Sequence, residues 1–161
     1  MRKVLFCIEK FLDAAHPEQG RACHDYGVVG SLASSGLGAA SCFYYDDFMQ
    51  NRQDSALDAE FVRKCEQVKP DMVMASAILA LGDKNVRPEV YGHVKEGLKI
   101  PVVMVWFESA PDVVRYADCY APHVTANVFV DTRDYWRQFS KFPEQGVGLY
   151  EPRDPALFNS T

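Results

Sequence analysis

The chain has 161 residues, 48% hydrophobic and 12% aromatic, enough for one domain that buries roughly two-thirds of its unfolded surface. Its formal net charge of -5 leaves no basic footprint for phosphate backbones or anionic lipid, so nucleic acid is not an expected partner. No stretch nears the ~20 consecutive apolar residues of a membrane helix, so no membrane insertion is expected either.

The opening MRKVLFCIEKFLDAAH places basic residues before an apolar run, as a signal peptide does, but Glu9 and Lys10 cut the run short; it reads as a first strand. Further strand-length apolar runs follow at residues 39–45, 71–76, 101–107, 124–130 and 146–150. The runs at 3–8, 71–76 and 101–107 are continuously apolar, the pattern of strands buried on both faces of a parallel sheet.

Helical signals fill the gaps. Asp25 is placed to cap a helix that stops at Gly36, where a residue free to take positive φ is wanted. Ser55 followed by Asp58 resembles a capping box, Phe61, Val62, Cys65 and Val68 share a stripe, and Pro70 forbids continuation. Pro88 suits a first helical turn, with Val90, Val94 and Leu98 at four-residue spacing and Gly97 at the exit. Shorter helices are predicted near 112–119 and 132–140. The alternation predicts an α/β fold: one Rossmann-like domain over residues 1–150, with about six mainly parallel strands, helices on both faces and the order 3-2-1-4-5-6. Residues 151–161 read as an interdomain linker or tail.

Cys7, Cys23, Cys42, Cys65 and Cys119 form no CxxC pair and are odd in number, which predicts reduced thiols and a cytoplasmic chain. The four histidines show neither HxxxH nor HExxH spacing, so no metal site is expected. The chain also lacks GxGxxG, the P-loop and GxSxG, which argues against conventional dinucleotide, nucleotide-triphosphate and α/β-hydrolase sites. A phospho-receiver reading fails because Ser76 and Asp131 stand where Asp and Lys are required.

Ligands of open α/β sheets bind beyond the carboxyl ends of the strands, where the topology reverses. For the predicted order that crevice lies between strands one and four. It collects Glu9, Lys10, His16 and His24 after strand one, Ser76 after strand three, and Trp106, Phe107, Glu108 and Ser109 after strand four. Asp46 and Asp47 follow strand two. Glu108 is the candidate base, since desolvation beside Trp106 and Phe107 would raise its pKa. Its competing role is a solvated loop acid or helix cap. Tyr44, Tyr45, Trp106 and Phe107 are placed either to stack on a sugar ring or to pack in the core.

The segments KPDMVMAS, GLKIPVVMVWFESAP, YADCYAPHVTANVFVDT and YEPRDPALFNST, in that order, resemble the N-terminal domain of GT-B glycosyltransferases of the spore-maturation-protein type. The resemblance covers about half the chain and is weak over the first seventy residues. It implies an acceptor-side domain for a small molecule or glycan, with no cofactor of its own. A nucleotide-sugar donor would bind only with a C-terminal domain, in the same polypeptide or a partner chain. Asp154 and Phe158 fall on the family's linker pattern, although EPRD departs from the usual glycine-valine pair; ESAP departs from the Asp or His that relatives carry near Glu108.

Three functions follow as expectations: half of a glycosyltransferase, inactive alone; a stand-alone, non-catalytic module for a small polar ligand or partner protein; and a small hydrolase-like or transferase enzyme using Glu108 and a loop histidine. A homodimer is compatible with each.

Overall fold

The computed structural model describes residues 2–11, 16–20, 22, 25–49, 54–77, 85–107, 112–130 and 146–149. The first strand is β1 (Arg2–Ile8), an interior strand in which Val4 to Ile8 are all buried. On one edge β1 pairs in parallel with β2 (Gly38–Tyr44), and on the other with β3 (Met72–Ala75). Then come β4 (Val102–Trp106) and β5 (Ala126–Val130), giving an all-parallel run β2-β1-β3-β4-β5, with Gly146–Leu149 (β6) pairing outside β5.

The α/β character and the parallel sheet agree with the sequence reading; the predicted order does not. The chain builds β2 on one side of β1 and then crosses back to add β3 on the other, so the topology reverses between strands one and three. Right-handed crossovers fix the hand of each connection but not the side to which it steps, and both orders satisfy them. Strand composition holds the missed signal: Ala39, Ala40, Ser41 and Cys42 of β2 are only half-buried, as suits an edge strand.

The reversal distributes the helices over the two faces. The segment between β1 and β2, a π turn at Asp25–Val29 leading into α1 (Gly30–Ser35), covers one face through Val28, Val29 and Leu32 against Val4, Phe6 and Ile8. Gly36 ends α1 at φ 70°, as predicted. After the short α2 (Asp46–Met49), the three later helices α3 (Asp54–Val68), α4 (Pro88–Glu96) and α5 (Asp112–Tyr120) bury Phe61, Tyr91, Val94, Val113 and Tyr120 against the opposite face. Consecutive right-handed crossovers in one direction place their helices on one side, which accounts for α3, α4 and α5 sharing a face.

Local details refine the helix signals. Pro88 is the first residue of α4 after Arg87, as its fixed φ favours. Ser55 lies inside α3, and Asp58 is turned away from any capping box: its carboxylate accepts from the Arg87 backbone amide and guanidinium, tying α3 to the start of α4. At the ends of α3 and α4 the positive φ falls on Lys69 and Lys99, not on Gly97. The predicted helix at 132–140 and the segment 151–161 lie outside the described residues.

Burial also sets the chemistry of the thiols. Burial pushes the Cys65 thiol up to about 12 and raises that of Cys7 further, while Cys119 is exposed. In native protein at pH ~8, a thiol-specific reagent should therefore label Cys119 promptly and Cys7 and Cys65 only at the rate of unfolding. Peptide mapping of the labelled sites checks this.

Candidate functional site

The reversal between β1 and β3 moves the crevice away from strand four. The residues that end β1, β2 and β3 meet there. β1 ends at Ile8, so Glu9 leaves the sheet at the strand where the order reverses; the residue is 8% exposed. From the end of β2, the buried Tyr45 phenol donates to Glu9 Oε2 at 2.6 Å. From the end of β3, the Ser76 hydroxyl donates to the same oxygen at 3.3 Å, while the Ser76 amide extends the ladder to the Cys7 carbonyl. Two donors aimed at one oxygen fit an ionised carboxylate, and the short phenol contact has the length of a charge-assisted bond.

Beside it, Asp46 holds the turn that leaves β1. Its carboxylate accepts from the Lys10 amide at 2.8 and 2.9 Å and from the Phe11 amide at 2.9 Å. Burial raises the Asp46 pKa; the Phe11 and Lys10 amides pull it back in part, and the neighbouring Glu9 charge pushes it up again. Tyr45 is held well above the ordinary phenol value, by burial first and then by the Glu9 charge and bond. The crevice thus contains two buried carboxylates held by strand-end donors, a disposition that can receive hydroxyl or amide donors from a ligand.

Of the residues singled out from sequence, Glu9 and Ser76 are brought together. Lys10 contributes its amide to the turn, and its ammonium lies 5.2 Å from the Phe11 ring centre and 5.4 Å from that of Tyr44. Trp106 is core: it is 2% exposed, its indole N–H donates to Asn127 Oδ1 at 2.9 Å, and its ring meets Tyr120 edge-on. Phe107 lies on the other side of the sheet, lining a small apolar recess with Phe6, Ile8, Val28, Met74 and Val105. His16 is exposed, with Nδ1 3.1 Å from Glu18 Oε1. His24, Glu108 and Ser109 lie outside the described residues.

Tyr45, read from sequence as a sugar-stacking or core aromatic, and Asp46, placed only as an acid after strand two, are the site members whose roles beside Glu9 the sequence reading missed. The signal is the acid directly after an apolar strand in YYDD, but its meaning depends on β2 lying beside β1. Among the described residues no group of three or more His, Cys, Asp or Glu could hold a metal ion. A groove of about 490 Å³ lies at the opposite, amino end of the strands, between Lys69, Pro70 and Asp71 on one side and Leu98, Lys99 and Ile100 on the other. Its two lysines follow the ends of α3 and α4, where basic side chains complement the helix dipole. The strand-end cluster, with its buried carboxylates, is therefore the stronger site.

Set against protein-family models, curated proteins and solved structures, the chain matches none. The site rests on its own geometry. No described helix is long and apolar enough to cross a membrane.

Proposed function

We propose that this chain is the acceptor-side domain of a GT-B-type glycosyltransferase, and that hydroxyls of a small-molecule or glycan acceptor bind in the crevice above β1 and β3. The observation that carries the reading is the convergence of Glu9, Tyr45 and Ser76 from three adjacent strand ends. It is a hydroxyl-receiving carboxylate at the point where doubly wound sheets bind ligands. Of the four segments that carry the resemblance, the first two include β3 and β4 and the third runs from α5 into β5, while YEPRDPALFNST lies outside the described residues. In this reading the nucleotide-sugar donor and the groups that stabilise its departing diphosphate come from a second domain or chain. Glu108 is the candidate base that takes the acceptor proton.

Amide NMR of the labelled chain tests it, with methyl glycosides and nucleotide sugars as separate titrants. Saccharides should shift the amides of Lys10, Phe11, Ser76 and Ala77, and nucleotide sugars should not. Shifts from nucleotide sugars alone, or none from any saccharide in a broad panel, overturn the reading. With a donor-binding domain supplied, Glu108→Gln should lose transfer while the chain stays folded; near-normal turnover would remove Glu108 from the site.

A second reading is a non-catalytic module for a small polar ligand. It is favoured by the way the chain's own donors already hold Glu9 and Asp46, an arrangement suited to a fixed binding surface. Saccharide binding by the wild type with no transfer when a donor-binding domain and nucleotide sugar are supplied would favour this module.

A further inference from the structure

We infer that Tyr45 is the positioning residue of the crevice: its hydroxyl aims the Glu9 carboxylate and keeps it in the ionised, hydrogen-bond-accepting form that meets ligand hydroxyls. The ligand half of this inference rests on the proposed acceptor site; the Tyr45–Glu9 relation stands on geometry alone.

Three observations support it. Tyr45 is 1% exposed and its ring belongs to the core shared with Phe43, Phe61 and Tyr91, so the phenol is carried on a rigid support. Its oxygen is 2.6 Å from Glu9 Oε2, whereas Ser76 reaches that oxygen at 3.3 Å; the phenol is the stronger of the two donors. The next residue, Asp46, fixes the backbone that follows Glu9 through the Lys10 and Phe11 amides. Consecutive residues at the end of β2 thus hold consecutive residues at the end of β1, one through a side chain and the other through the main chain.

The charge environment gives the phenol its importance. Glu9 is buried, and among the described residues Cys7 on β1 and Tyr45 and Asp46 at the end of β2 are ionisable groups that sense its charge. Burial and the Asp46 carboxylate both oppose a charge on Glu9, while a phenol donor favours it. A hydrogen bond to an ionised group contributes enough to decide between the two forms. Ser76, at 3.3 Å, contributes less.

Tyr45→Phe keeps the ring and removes only the donor. The test compares wild type, Tyr45→Phe, Ser76→Ala and Glu9→Gln, each checked by urea unfolding. The readouts are the ¹³C titration of the Glu9 carboxyl, where present, and titration with methyl glycosides. In Tyr45→Phe the Glu9 midpoint should move up by about one to two pH units, and saccharide affinity at neutral pH should fall about ten-fold or more. Ser76→Ala should move the midpoint less. An unchanged Glu9 midpoint in a folded Tyr45→Phe overturns the positioning role, as does a larger effect from Ser76→Ala. If the midpoint moves but wild type binds no saccharide, the acceptor-site reading fails and the Tyr45–Glu9 relation stands. If wild type binds saccharide and Tyr45→Phe binds it equally well, the inference fails and the acceptor site survives.

Discussion

Phe61→Ala should lower the free energy of unfolding by about 3–5 kcal/mol and the melting temperature by about 6–20 °C, as read from urea and thermal denaturation. Phe61 is fully buried in the middle of α3. Its ring sits edge-on to Phe43 at 5.4 Å between centres and to Tyr91 at 5.3 Å. Tyr91 in turn packs against Tyr120, and Tyr120 meets Trp106 edge-on. The rings form a continuous line from β2 through α3, α4 and α5 to β4. Removing the second of them leaves a cavity between elements brought together from across the chain, and both edge-on contacts are lost with it. Since a domain of this size has only about 5–15 kcal/mol in hand, the variant should be near the limit of folding. Leu37, 77% exposed, provides the contrast: Leu37→Ala should change stability by less than about 0.5 kcal/mol.

Asp46→Ala should cost about 2–3 kcal/mol, because the Lys10 and Phe11 amides lose a charged acceptor at 2.8–2.9 Å in a partly buried turn. It should also disorder the crevice, which amide exchange at Lys10 and Phe11 would detect. Asp46→Asn separates the charge from the hydrogen bonds. Burial and Glu9 place the folded-state pKa of Asp46 above the ordinary aspartate value, so the folded chain holds this proton more tightly than the unfolded one. The corresponding stability is fully present below the ordinary value and is lost as pH rises through the raised one. Relative to Asp46→Asn, the wild type should lose stability across that window and run parallel to it above. Urea titrations of the pair at successive pH values between about 3 and 7 measure this. The opposite slope would mean that the amides outweigh burial.

These two residues show how unevenly the fold and the site are legible. Phe61, with Val62, Cys65 and Val68, announces an amphipathic helix from spacing alone, and its burial follows without knowledge of its partner. Gly36 and Pro88 declare their positions in the same way, because the conformations they permit are local properties. Asp58 does not: Ser55 and Asp58 have capping-box spacing, yet the carboxylate goes to Arg87, a partner 29 residues away that only packing provides. Trp106 looks like a cleft residue because it ends a strand, but the alternation of side chains turns it into the core toward Asn127, with Phe107 on the other side.

The sequence by itself determined that strands and helices alternate, that the sheet is parallel and covered on both faces, and where most elements begin and end. Those properties follow from apolar periodicity and from residues whose backbone preferences are intrinsic. The tertiary structure alone decided that β3 lies beside β1 and β2 on its far edge. Right-handed crossovers are satisfied on either side of β1, so the side is set by which packing buries the strongly apolar β1, β3 and β4 in the interior of the sheet and leaves the small-residue β2 at the edge. That choice moved the topological crevice from strands one and four to strands one and three. It joined Glu9, Tyr45, Asp46 and Ser76, residues separated by up to 67 positions, into one site.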